Sequence, residues 1–505
     1  MIRMPYLNPR TAPAGLLASG KLATGIVMAL GLAVTTLPAM AQPRTTQEIA
    51  VRLAGSSTIG SKMALELATA WAKKLKLPGV RIDQGNENDE YEVIAEGVES
   101  TQRLRVTVAA KGTGTGLEPL LRGETDIWMA ARQARASDID MMKKRNVPNV
   151  PTLAQLTQPG NENVVGQAAL AIIVNPRNPV PNLSIAQLRN IFGGKVTSWA
   201  QAGGTANTMI GLYSPDINSA TSDAFCAQII GNPDTPRCLE GFARLAAPRF
   251  PLPEDLADAV AATPAGIGFT DLSLRRSARP VPLGTECGVG IEPSAFRIKT
   301  EEYPLIRSLY FYAAPNRPLS PAARDFLQFT LSAPGQAAVA ASGLGDLLPS
   351  MADAAYGDQR LDKVKDAMDG GRVRVRAPDA RAFETAIAGA ERLSITFRFA
   401  AGTDNLDSRA EADLGRLVAL LQQPSNAETG VTLIGFSAAA GDYVENRVLS
   451  RDRAAIIRDR LAASGVQNIN AIGVGPLGAV ACNLDPATAP LNQRVEVWLR
   501  KKRVG

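Results

Sequence analysis

The chain has 505 residues, 45% of them hydrophobic and 20% charged, and it contains no histidine. That balance describes folded protein, and the length suits about three domains. The net charge of +6 is small for this size, and no basic run is interleaved with aromatics, so nucleic acid is excluded as a partner. Without histidine there is no Ser–His–Asp or Cys–His catalysis and no imidazole ligation. No clustered Asp/Glu set takes its place, so no metal, cofactor or enzymatic activity is expected, an envelope phosphatase included.

The N-terminal segment carries Arg3, Arg10 and Lys21, then an uncharged apolar stretch over residues 23–37, and closes on Pro38-Ala39-Met40-Ala41-Gln42. A basic region, a short apolar core and an A-x-A site are the order of a secretory signal, with cleavage expected after Ala41. The apolar core is shorter than the ~20 residues that span a bilayer. Residues 1–41 are therefore read as a signal peptide, which directs the chain to the periplasm.

Residues 42–350 alternate short β-rich runs with helical stretches. A strand at 51–54 precedes a helix over 59–75, and a strand at 104–110 precedes a helix at 117–122. The continuous apolar run 168–174 reads as a buried strand. This alternation predicts α/β lobes with mostly parallel sheets. Residues 351–390, rich in Ala, Asp, Gly and Arg, read as a linker with some helix. Residues 391–505 start afresh with an alternating strand at 393–399. Asp407 then caps an amphipathic helix through Leu421, with Ala410, Leu414, Leu417 and Leu421 on one face. A strand at 431–436, a helix at 450–464 and a strand at 494–499 complete a βαβαβ order, which suggests a small α/β sandwich.

Four cysteines, Cys226, Cys238, Cys287 and Cys482, are widely spaced and form no C-x-x-C pair. In an oxidising compartment they are read as disulfide partners, with three pairings open. The short Cys226–Cys238 loop is the preferred one, which leaves Cys287 and Cys482 free or bridging domains.

Three segments share one design. Gly55-Ser56-Ser57-Thr58-Ile59 and Gly112-Thr113-Gly114-Thr115-Gly116 each follow a strand and open a helix. Asn218-Ser219-Ala220-Thr221 precedes a third helix over 222–230. Helix starts present unpaired N–H groups and a positive dipole end, so small hydroxylated residues there suit an oxyanion. Each alone is an ordinary cap; three in one region point to a shared site.

With those turns, Thr125-Asp126-Ile127-Trp128-Met129-Ala130-Ala131-Arg132, Ala171-Ile172-Ile173-Val174-Asn175-Pro176, Gln187-Leu188-Arg189-Asn190-Ile191-Phe192 and Gly266-Ile267-Gly268-Phe269 carry a resemblance. The region resembles the phosphate-binding proteins of phosphate ABC transporters. The resemblance implies a two-lobed, type II-like periplasmic-binding-protein fold that closes on phosphate or a related oxyanion, with an ABC transporter permease as a further partner. The contacts it implies fall on Thr58, Ile59, Thr113, Gly114, Thr115, Arg132, Ser219, Ala220 and Thr221. Two positions depart from the family pattern: its glycine is Ala220 and its arginine is Pro215.

Gly435-Phe436-Ser437, Gly441, Asn446, Leu449-Ser450, Arg453-Ala454, Gly473-Val474-Gly475 and Asn492-Gln493-Arg494-Val495-Glu496 carry a second resemblance, to OmpA-like peptidoglycan-binding domains. It implies a cell-wall or outer-membrane association, with Arg453 and Asn446 at the wall peptide. The family's aspartate is Ala438 here, and Asp442 in the same loop is the carboxylate expected to replace it. Wall-tethered oxyanion capture is therefore the leading expectation. The alternative is a structural or interaction protein of the envelope that binds no solute.

Overall fold

The structure, a computed structural model, describes residues 47–96, 102–204, 207–216, 219–231, 238, 248–284, 290–353, 355–369, 376–399, 403–438, 441–481 and 489–501. The expected signal peptide, Asn218, Cys287 and Cys482 lie outside them.

The first described strand, Gln47–Gly55, pairs in parallel with Gln102–Ala109 and with Ile127–Ala130. The first long helix opens on a wide turn, Ile59–Met63, and continues as Ala64–Lys74. Its Ala64, Leu67, Ala68, Trp71 and Ala72 recur at helical spacing, and all are buried on the sheet. With Phe311, Phe326 and Val339 from the far end of this region they form the first lobe's core. A second core closes on Leu170, Ile172, Leu188, Phe192, Phe225, Phe269 and Tyr303.

Two strands join these cores. Glu162–Val174 places Val165 and Ala168 in the first core and Leu170, Ile172 and Val174 in the second. Ile306–Tyr312 runs antiparallel to its first half and also pairs with Ile127–Ala130. The sheet is mixed, contrary to the mostly parallel expectation. Antiparallel hairpin strands Arg81–Gln84 and Glu90–Glu96 extend one edge, and the two connecting strands run against their neighbours. Cys226 and Cys238 are joined by a disulfide, with Cα atoms 5.8 Å apart, at the edge of the second core.

The C-terminal module is a four-stranded sheet in the order Glu391–Phe397, Arg494–Arg500, Gly430–Phe436, Ile469–Gly473. Helices Ser408–Leu421 and Tyr443–Ala463 cover one face. Residues 351–390, expected as a linker with some helix, hold two helices, Tyr356–Asp369 and Ala377–Ile387. Val364, Phe383 and Ile387 pack with Phe436 and Trp498 on the sheet's other face, so apolar burial draws this segment into the module.

Candidate functional site

The first helix start is built by glycine. Gly55 sits at φ +130, and a Cβ there would lie 2.1 Å from the Met129 carbonyl oxygen, so no other residue fits. The turn delivers Thr58 at the helix edge, where its hydroxyl accepts a hydrogen bond from Arg307 Nη2 at 3.4 Å. Ile59 is fully buried in the first core, so only its backbone is left to face a solute.

The second helix start is a single tight turn, Thr113–Thr115. The Thr113 hydroxyl accepts from the Ala131 N–H at 3.0 Å, which fixes the turn beside Arg132. Thr115 donates back to the Gly112 carbonyl at 2.8 Å. A Cβ at Gly112 or Gly114 would meet nothing within 4 Å, so this turn borders open space.

The third start belongs to the second lobe. Ser219 caps helix Ala220–Phe225 by accepting from the Ser222 N–H at 3.1 Å. Thr221 is buried and its hydroxyl donates to Asp271 at 3.4 Å. Asp271 in turn takes Arg307 Nη2 at 3.3 Å on both oxygens. Thr58, Arg307, Asp271 and Thr221 thus form one line of polar contacts from lobe to lobe.

Arg132 is placed differently from the expectation of a free oxyanion clamp. Its guanidinium is held by both Asp138 oxygens, each at 2.7 Å, because Asp138 also caps the next helix from its own first turn. Asp223 lies opposite. Burial raises its carboxyl above the usual range, while Arg132, Arg307 and Arg135 pull it back down. Burial and the neighbouring Arg132 lower Arg135. Three guanidiniums therefore face three carboxylates, and the hydroxyls and helix-start N–H groups add neutral donors for an anion beside them.

Sequence reasoning missed Arg307. A lone cation inside Ile306–Tyr312, a strand of otherwise uncharged, mostly apolar and aromatic residues, was the available signal.

In the C-terminal module Arg453 is 9% exposed, with its guanidinium 5.0 Å from the Phe399 ring centroid. Nη1 donates to Gln493 at 3.4 Å, Nε has no partner, and no carboxylate ion-pairs with it among the described residues. Burial lowers its pKa, partly opposed by Asp404. Asp442 does not turn toward it. That carboxylate caps helix Tyr443–Ala463, accepting from the Val444 and Glu445 N–H groups at 2.8 and 3.0 Å. Asn446 lies one turn on, against Gly441. Asn492 is structural: its Oδ1 holds the Val480 and Ala481 N–H groups.

Residues 43–334, more than half of the chain, match the PBP superfamily domain. The chain belongs to the PBP superfamily. Behind the PBP domain, residues 398–481 match the OmpA family. The protein SphX of Synechococcus elongatus is 26% identical over 259 residues, covering 48% of this chain and 70% of SphX. The phosphate-binding protein PstS of Pseudomonas aeruginosa is 25% identical over 316 residues, 59% of this chain and 85% of that protein. Among solved structures, PstS from Borrelia burgdorferi matches with a TM-score of 0.42 at 18% identity, over 59% of this chain and 98% of that one. Pro215, expected from the resemblance to stand where the family has an arginine, is buried in a short strand beside Phe250.

Proposed function

We propose that this protein captures phosphate or a related oxyanion between the two lobes of its PBP domain and is tethered to peptidoglycan by its OmpA domain. It works in the cell envelope after export and passes the anion to an ABC transporter permease. Thr58, the Ile59 backbone, Thr113, Gly114, Thr115, Arg132, Ser219, Ala220 and Thr221 are the residues proposed to surround the anion, and Arg307 joins them. The observation that carries the reading is the Thr58–Arg307–Asp271–Thr221 line, which brings two helix starts from different lobes to one guanidinium. The solute-binding class of its relatives supports a binding protein over an enzyme.

Phosphate titrated into the purified chain should raise its melting temperature by linkage, whereas a ligand-free scaffold shows no shift with phosphate, sulfate or related anions. That second reading, an interaction protein of the envelope, is favoured by Pro215 and by the closed Arg132–Asp138 pair. For the wall, Arg453 and Asn446 are the proposed grip. Arg453→Ala should lose peptidoglycan in a pull-down that the parent chain survives.

A further inference from the structure

Three arginines and two glutamates are buried together where the C-terminal module meets the solute-binding lobes. Arg392, Arg494 and Glu496 are almost wholly inaccessible, Arg360 is 8% exposed and Glu302 2%. Glu496 takes Arg494 at 2.5 Å, Arg360 at 2.9 Å and Arg392 at 3.0 Å, and Glu302 takes Arg392 at 3.4 Å. The cluster therefore holds one positive charge more than its carboxylates balance. The Phe436 ring offsets part of it, lying 4.1 Å from the Arg494 guanidinium and 5.8 Å from that of Arg360. A buried charge without a counter-charge is costly: burial pushes Arg494 down to about 10, while at Arg360 burial is outweighed by Glu496, Tyr356 and Glu302, which raise it.

A cavity of about 30 Å³ opens beside this cluster, lined by Arg297, Glu302, Tyr356, Gln359, Arg360 and residues 479–480. A water molecule needs roughly 10–15 Å³, so an ion of chloride size has room. Two of the lining cations have donors to spare. Arg360 Nε is buried with no partner, and the half-buried Arg297 guanidinium makes no hydrogen bond or ion pair among the described residues. Glu302 is already engaged by the Tyr356 hydroxyl at 3.2 Å and by Arg392.

We propose that this cavity binds a small monovalent anion, chloride being the simplest, held between Arg297 of the lobes and Arg360 of the C-terminal module. The ion neutralises the excess guanidinium and so fastens the two modules together. The site is separate from the solute cleft and shares no residue with it.

Two measurements on the full chain test this. Crystals grown in sodium bromide should show an anomalous peak in the cavity, against Arg360 Nε and Arg297. In phosphate-free buffer, halide should raise the melting temperature above that in gluconate of equal ionic strength, by about 1–2 °C. Gln359→Glu, an exposed position in the first turn of its helix, places a fixed carboxylate at the cavity and should abolish the halide increment. No anomalous peak in the cavity overturns the proposal. So does an increment that Gln359→Glu leaves unchanged.

Discussion

Arg307 Nη2 reaches the Thr58 hydroxyl at 3.4 Å and both Asp271 oxygens at 3.3 Å from a strand that joins the two lobes. A charge-assisted donor in such a place contributes about 1.5–3 kcal/mol to whatever it holds. Arg307→Met should therefore weaken phosphate binding by roughly tenfold to a hundredfold in calorimetric titration. Asp407 makes a different case. It caps helix Ser408–Leu421 by accepting from the Ala410 N–H at 2.7 Å, while burial, and then Glu301, pushes its pKa up to about 6. The Ala410 N–H, Arg409 and Arg398 oppose that rise. The folded state thus holds this proton more tightly than the unfolded chain, so Asp407 favours folding most at low pH. That advantage is lost as pH climbs from about 4 through about 6, at most about 2–3 kcal/mol for a shift of this size. Asn caps as well as Asp. Asp407→Asn should therefore flatten the pH dependence of the denaturation midpoint across this window and stabilise the protein at pH 7.

Helix Tyr443–Ala463 lies so close to its sheet that a Cβ at Gly435 would sit 1.8 Å from the Ser450 carbonyl oxygen, and one at Gly473 2.2 Å from the Arg451 nitrogen. Ser450 locks the contact by accepting from the Gly475 N–H at 3.0 Å. Gly435→Ala must push the helix outward, a strain of about 1–3 kcal/mol or more, visible as a lower urea midpoint with the anion affinity of the lobes unchanged. These glycines also explain what could be read beforehand. The Gly435, Ser450 and Gly473 pattern is close packing written in sequence, and so are Gly55 and Gly116 at the first two helix starts. Strands Arg81–Gln84 and Glu90–Glu96 escaped notice because the first is exposed and largely polar and the second is only half apolar. Strand Ile469–Gly473 escaped because only Ile, Ala and Ile mark it. The helix over 443–463 was expected to start at 450, since Val444, Val448 and Leu449 are exposed and blur the apolar stripe. At the site, the helix-start turns were legible as local signals. The Arg132–Asp138 pair was not, because nothing in composition shows that a cap aspartate six residues on will claim the guanidinium.

At the scale of the whole molecule, the C-terminal module straddles both lobes at the start of one helix. Ser408 hydrogen-bonds Glu162, which also holds Tyr312 and Gln133 of the first lobe. The next residue, Arg409, takes Glu301 at 3.2 Å and the Lys299 carbonyl at 2.7 Å, just beyond the helix whose Ile298 packs in the second core. Arg398 adds a second pair to Glu301 at 3.0 Å and a bond to its carbonyl at 3.2 Å. One carboxylate therefore ion-pairs with two largely buried arginines across the seam; Arg409 has a second carboxylate in Asp413, whereas the other bonds of Arg398 go to the Glu301 and Leu491 carbonyls. Glu301→Ala leaves Arg398 without its ion-pair partner, a loss of roughly 2–4 kcal/mol concentrated at the seam. The cores on either side are untouched by that change. Scanning calorimetry of the parent should show the lobes and the C-terminal module unfolding in one transition. The Glu301→Ala chain should resolve into two, and Glu301→Gln, which keeps an acceptor, should fall between them. A single unshifted transition in Glu301→Ala would mean that the other contacts across the seam, Phe296 against Tyr356 at 5.3 Å, Arg392 with Glu302 and Ser408 with Glu162, hold the modules together without Glu301.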